Sequence, residues 1–108
     1  IMEKHTLERL FSVIEGRVNA DSKLSYTAQL LSNGHKIIGK KLGEEAVELI
    51  IAAVSGDKKN IIDESSDLLY HLLVLWKATN VNPNDIWEEL DSRFEVSGLE
   101  EKSSRNTD

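Results

Sequence analysis

The chain has 108 residues, 40% of them hydrophobic and 30% charged, with a formal net charge of −6 and no cysteine. That length fits one domain with a single small core, expected over 1–108, and the missing cysteines exclude disulfides, thiolate metal sites and cysteine catalysis. The acidic balance argues against a nucleic-acid partner, whose phosphates call for a basic surface. The apolar runs are too short for a membrane span or signal peptide, so no membrane partner and a cytoplasmic location are expected.

Residues 3 to about 18 read as the first helix, because Leu7, Leu10, Phe11 and Ile14 recur at spacings of three and four. Gly16 and the run Asn19-Ala20-Asp21-Ser22 end it. Ser25 is the expected N-cap of a short helix whose Leu30 and Leu31 face inward, and Asn33-Gly34 stops that helix. A long helix then covers about 35–55, with Gly56 where a C-terminal glycine belongs. Asp57 or Asn60 caps the next helix, at about 59–79. Its later half, Leu68 to Trp76, is apolar nearly all round, which predicts a central helix touched from several sides. Asn82 caps a last helix that begins at Pro83 and runs to about Phe94. Residues 95–108 form a polar tail, expected to be irregular. With one proline, six glycines and few aromatics, the expected class is all-α: an antiparallel helical bundle of four to five helices. Its two long helices are expected to pair as a hairpin, because their connection is short.

The chemistry concentrates on those two helices. Glu44, Glu45 and Glu48 lie on the first, and Glu64 and Asp67 on the second, at spacings of three and four that place side chains on one face. Ile38, Lys41, Glu45, Glu48 and Ala52 form one stripe beside Leu42, Leu49 and Ala53; Glu64, Asp67 and His71 form another beside Leu68, Leu72 and Leu75. The acids therefore border the apolar seam instead of opposing it. Clustered, partly desolvated carboxylates repel one another unless a cation neutralises them. All-oxygen ligation suits Mg²⁺ or Mn²⁺ and not Zn²⁺.

Plainer readings stand beside this one. An isolated Glu-x-x-Glu is usually a solvated helix face. Lys36, Lys40 and Lys41 are candidates for holding phosphate, but Lys41 stands four residues before Glu45 and an ordinary ion pair explains it equally well. Gly39 and Gly43 inside the helix each cost roughly 1 kcal/mol relative to alanine; they imply either close helix packing or room for a ligand. His71 is weighed as a hydrogen-bonded core residue against a substrate contact, and Tyr70 as packing. Trp76 and Trp87 read as core or interface anchors.

The segments Gly43-Glu44-Glu45-Ala46-Val47-Glu48 and Asp63-Glu64-Ser65-Ser66-Asp67-Leu68-Leu69-Tyr70-His71 closely resemble the phosphoribosyl-ATP pyrophosphohydrolase family, as do Ser25-Tyr26-Thr27-Ala28-Gln29-Leu30 and the tail from Ser97 to Arg105. The Glu-x-x-Glu and Glu-x-x-Asp pair alone is shared with the wider all-α nucleoside triphosphate pyrophosphohydrolases; the Ser-Tyr-Thr-Ala and Asp-Leu-Leu-Tyr-His segments are more specific. The resemblance implies Mg²⁺-dependent hydrolysis of phosphoribosyl-ATP to phosphoribosyl-AMP and pyrophosphate, the second step of histidine biosynthesis. It implies a homodimer whose subunits complete the bundle core together. It maps the metal ligands onto Glu45, Glu48, Glu64 and Asp67, with Glu44 alongside, and substrate contacts onto Tyr26 and Thr27. It also implies the stand-alone form, since no cysteine is present for the zinc site of the cyclohydrolase fused in some relatives.

On that reading Glu44 or Glu45 deprotonates the attacking water, Lys36, Lys40 and Lys41 hold the phosphates, and His71 lies among the substrate-binding candidates. The rivals are a house-cleaning pyrophosphohydrolase acting on other nucleoside triphosphates and a non-enzymatic helical dimerisation module. A di-iron carboxylate bundle is a poorer match, because such sites use Glu-x-x-His pairs.

Overall fold

The computed structural model describes residues 5–94. Over that span the chain forms five α-helices, and no strand occurs among the described residues: α1 (Thr6–Gly16), α2 (Tyr26–Asn33), α3 (His35–Ser55), α4 (Lys58–Ala78) and α5 (Pro83–Phe94). The tail expected to be irregular lies outside the described residues. No described helix is long and apolar enough to cross a membrane.

Local chemistry sets the helix ends. The Ser25 side chain accepts from the Ala28 amide at 3.2 Å, satisfying one of the donors that the first turn leaves unpaired. Gly34 alone separates α2 from α3, and its φ of 89° is a conformation that a Cβ would penalise. Gly56 closes α3 in the left-handed region, with φ 77°. Asp57, not Asn60, caps α4: its carboxylate accepts from the amides of Lys59 and Asn60. Asn82 does the same for α5, accepting from the Asn84 amide at 2.9 Å just ahead of Pro83. The first helix is shorter than its apolar stripe suggested, because His5 caps it at one end and the chain leaves the helix at Arg17.

The core is small. Ile14 of α1, Leu30 of α2, Ile38 of α3 and Leu73 and Val74 of α4 are fully buried together, with Leu10, Phe11, Leu75 and Trp76 packed around them. Each such side chain contributes roughly 1.5–3 kcal/mol on leaving water. As its continuous apolar run predicted, α4 is the central element, touching α1, α2 and α3. The most extensive helix–helix contact is between α3 and α4, which Gly56 and Asp57 alone connect. α5 contributes no buried residue and is held by Trp87 set edge-on against Trp76, with ring centroids 5.8 Å apart.

Candidate metal centre

The contact between α3 and α4 brings three acids from two helices to one place. One carboxylate oxygen from each of Glu45, Glu48 and Glu64 lies within 4.8 Å of the other two. Glu45 and Glu48 sit one turn apart on α3 and Glu64 comes from α4, so the cluster depends on how these helices pack. Glu45 and Glu64 are half-buried, while Glu48 faces solvent. The Oε2 atoms of Glu45 and Glu64 are fully shielded and have no hydrogen-bond partner. A buried carboxylate oxygen without a donor is costly, and few are tolerated in a folded protein.

The electrostatics carry the same strain. Burial, then the close approach of Glu48 and the charges of Glu48, Asp67 and Glu45, pushes the Glu64 carboxyl up to about 7. Burial and Glu48 raise Glu45 as well, against an opposing effect of the neighbouring Glu64 carboxyl. Without a cation the cluster holds its charge only by sharing protons. A hard divalent cation fits the donor set. It would supply the missing partner to both shielded oxygens. Asp67, the fourth expected acid, lies outside the trio, although its charge raises both Glu45 and Glu64.

The remaining candidates fall into two groups. On the outer side of α3, Lys41 pairs with Glu44 at 3.6 Å and not with Glu45, so the side chains of successive glutamates part company. Glu44 and Glu48, with Gly43 and Val47, line a shallow concavity there. Lys36 and Lys40 are exposed. A Cβ added at Gly39 or Gly43 would meet nothing within 4 Å. Close helix packing within this chain therefore does not account for these glycines. A cleft of about 460 Å³ lies elsewhere, between α1 and the start of α5, lined by Phe11, Glu15, Lys77, Asn80 and Trp87 but by none of Glu44, Glu45, Glu48, Glu64 and Asp67.

The second group forms an aromatic wall between α2 and α4. His71 is buried, with Nδ1 2.7 Å from the Asp67 carbonyl oxygen and Nε2 3.1 Å from the Tyr26 hydroxyl. A carbonyl can only accept, so Nδ1 carries a proton, and in the neutral imidazole Nε2 accepts from the Tyr26 O–H. Thr27 is buried and hydrogen-bonds the Tyr70 hydroxyl. Burial raises the Tyr70 phenol, and the hydrogen bond with Thr27 and then the charge of Arg17 partly offset this. Tyr70 had read as packing alone. Its place on the face shared by Asp67 and His71, at helical spacings of three and four, was the available signal.

Residues 7–94 match the family model described as phosphoribosyl-ATP pyrophosphohydrolase. Among curated relatives named phosphoribosyl-ATP pyrophosphatase, the chain is 54% identical over 99 residues to that of Parvibaculum lavamentivorans, covering 92% of this chain and 91% of the relative. It is 52% identical over 99 residues to that of Granulibacter bethesdensis, where the match covers 92% of this chain but 62% of the relative's length. With that of Nitrobacter winogradskyi it shares 45% over 108 residues, 100% of this chain and 93% of the relative.

Proposed function

The chain belongs to the phosphoribosyl-ATP pyrophosphohydrolase family, and from that premise we propose that it hydrolyses phosphoribosyl-ATP to phosphoribosyl-AMP and pyrophosphate in cytoplasmic histidine biosynthesis, with Mg²⁺ as cofactor. The observation that carries this reading is the convergence of Glu45, Glu48 and Glu64 with two shielded, donorless oxygens.

Glu45, Glu48 and Glu64 are the proposed ligands, and Asp67 completes the set from the next turn of α4. Bound there, Mg²⁺ would offset the charge of the phosphate chain and polarise the attacking water. Glu44 is free of the ligand trio and lines the open concavity beside Glu48. It therefore takes the proton from the water, with Glu45 left to ligation. The water oxygen bonds to phosphorus while the bridging P–O bond breaks and pyrophosphate departs. Lys36, Lys40 and Lys41, ahead of the acids on α3, offset phosphate charge. Tyr26 and Thr27 reach the substrate from α2, and His71 acts behind them.

We read the working unit as a homodimer built on α3 and α4 arranged antiparallel. Val47, Ile50, Ile51 and Val54 form an exposed apolar stripe along α3, and Ile62 and Leu69 are exposed on α4. A stripe at spacings of three and four that finds no partner in its own chain suits a second copy of the same helix pair. Chromatography of the products from phosphoribosyl-ATP with and without Mg²⁺ tests the reading. Pyrophosphate and phosphoribosyl-AMP in equal amounts, formed only with the metal, are expected. Their absence, or comparable turnover of ordinary deoxynucleoside triphosphates, defeats it.

A further inference from the structure

Tyr26 has an unusual setting for a half-exposed tyrosine. A surface tyrosine ordinarily offers its hydroxyl to water and lays its ring on the protein. Here the hydroxyl is turned inward, donating to Nε2 of the buried His71, while 49% of the residue remains exposed. His71 cannot follow the phenol outward, because its Nδ1–H is tied to the Asp67 carbonyl one turn earlier in α4. Tyr70 lies alongside the Tyr26 ring, with centroids 6.1 Å apart and planes 23° from parallel, and is itself fixed by Thr27. The His71 ring closes the edge at 74°.

We propose that the open face of Tyr26 is the platform on which the purine base of the substrate stacks, and that His71 is the positioning residue holding that face in register with the acidic cluster. The inference rests on the reading of the chain as a hydrolase of a purine nucleotide and adds how the base is held. A ring backed on one side and fixed by its hydroxyl loses little freedom when a flat heteroaromatic group covers the other side. The register comes from α4 itself: Glu64 and His71 are seven residues apart, about 10 Å of helical rise. Metal-held phosphates at one end and a stacked base at the other suit the length of a nucleotide.

The test compares Tyr26→Leu, Tyr26→Phe, His71→Leu and the double variant Tyr26→Phe/His71→Leu in steady-state hydrolysis of phosphoribosyl-ATP with Mg²⁺, alongside calorimetric binding of AMP and of ribose 5-phosphate. Loss of the platform in Tyr26→Leu is expected to raise KM about tenfold or more, with kcat changed far less. Tyr26→Phe and His71→Leu each cut the same bond, so each is expected to raise KM by about two- to tenfold, and the double variant no further than the worse single one. AMP binding weakens in parallel and ribose 5-phosphate binding does not. A merely structural histidine would lower the melting temperature and kcat without that KM pattern. If His71→Leu fails to fold, Tyr26→Phe against Tyr26→Leu still decides. An unchanged KM in Tyr26→Leu, additive effects in the cycle, or equal weakening of AMP and ribose 5-phosphate overturns the proposal. A wild-type chain inert toward phosphoribosyl-ATP would instead defeat the hydrolase reading. The binding arm then still decides the platform, which falls if wild type binds AMP no better than ribose 5-phosphate.

Discussion

Glu45 and Glu64 approach each other from adjacent helices with one oxygen apiece shut away from water and from every donor. Two acids so placed destabilise the metal-free fold. The same repulsion becomes affinity when a cation enters, because binding removes a cost already present in the free protein.

Replacing Glu48 with glutamine separates these two effects. The isosteric amide relieves repulsion, so the metal-free melting temperature of Glu48→Gln is expected to equal or exceed that of wild type. The rise in melting temperature on adding Mg²⁺ disappears, and turnover falls by about a hundredfold or more. Thermal melts with and without Mg²⁺, beside a pyrophosphate-release assay, measure both.

Glu64 sets a pH dependence whose sign is fixed. Its carboxyl stands at about 7 in the fold, raised from 4.5 chiefly by burial and by Glu48. The folded metal-free protein therefore binds a proton that the unfolded chain releases. The associated stability is fully present below 4.5 and is lost as pH rises through about 7. Mg²⁺ competes for the same oxygen, so its affinity rises over this range and levels off above it. Calorimetric Mg²⁺ titrations at about pH 6 and about pH 8 should show tighter binding at the higher pH and proton release at the lower. Affinity that falls with pH contradicts the assignment of Glu64.

The apolar stripe on α3 predicts an oligomeric state. Val54 is 84% exposed and Ile50 61%, and a glutamate at either position would put charge into the proposed interface. Wild type should sediment as a dimer, and the double variant Ile50→Glu/Val54→Glu as a monomer with little activity. A wild-type monomer removes the dimer from the proposed function.

The turn between α3 and α4 offers a stability test. Asp57→Ala deletes the acceptor for two amides and should cost about 1 kcal/mol. Gly56→Ala meets no steric obstacle, since nothing lies within 4 Å of the added Cβ. Its cost of about 1–2 kcal/mol comes from the positive φ alone. Urea unfolding monitored by circular dichroism reads both.

Much of this was legible in the order of residues. Ser25, Gly56 and the Asn82-Pro83 pair announce helix ends through chemistry confined to a few neighbouring positions, and the structure places the boundaries there. The N-terminal helix was read too long, because an apolar stripe marks a face and not its limits. The placing of the acids was only partly legible. Glu44 and Glu45 are adjacent, and spacing alone allows Lys41 to pair with either; side-chain directions around one turn gave it to Glu44. Tyr26, Thr27 and His71 were named from the sequence, but their pairing was not legible, because the bonds join Tyr26 and Thr27 to residues 45 and 43 positions away. Only the packing of α2 on α4 brings those groups together.

Gly56 and Asp57 are the whole of the chain between α3 and α4, so the clustered acids all lie within the continuous stretch 45–64. Closing so short a loop costs little chain entropy, and contacts near in sequence form early in folding. On that ground the α3–α4 pair, and with it the crowding of charge, is expected to form before α5 docks. On the proposed reading, Mg²⁺ added during refolding is therefore expected to raise the refolding rate as well as to lower the unfolding rate, which stopped-flow circular dichroism with and without the ion measures.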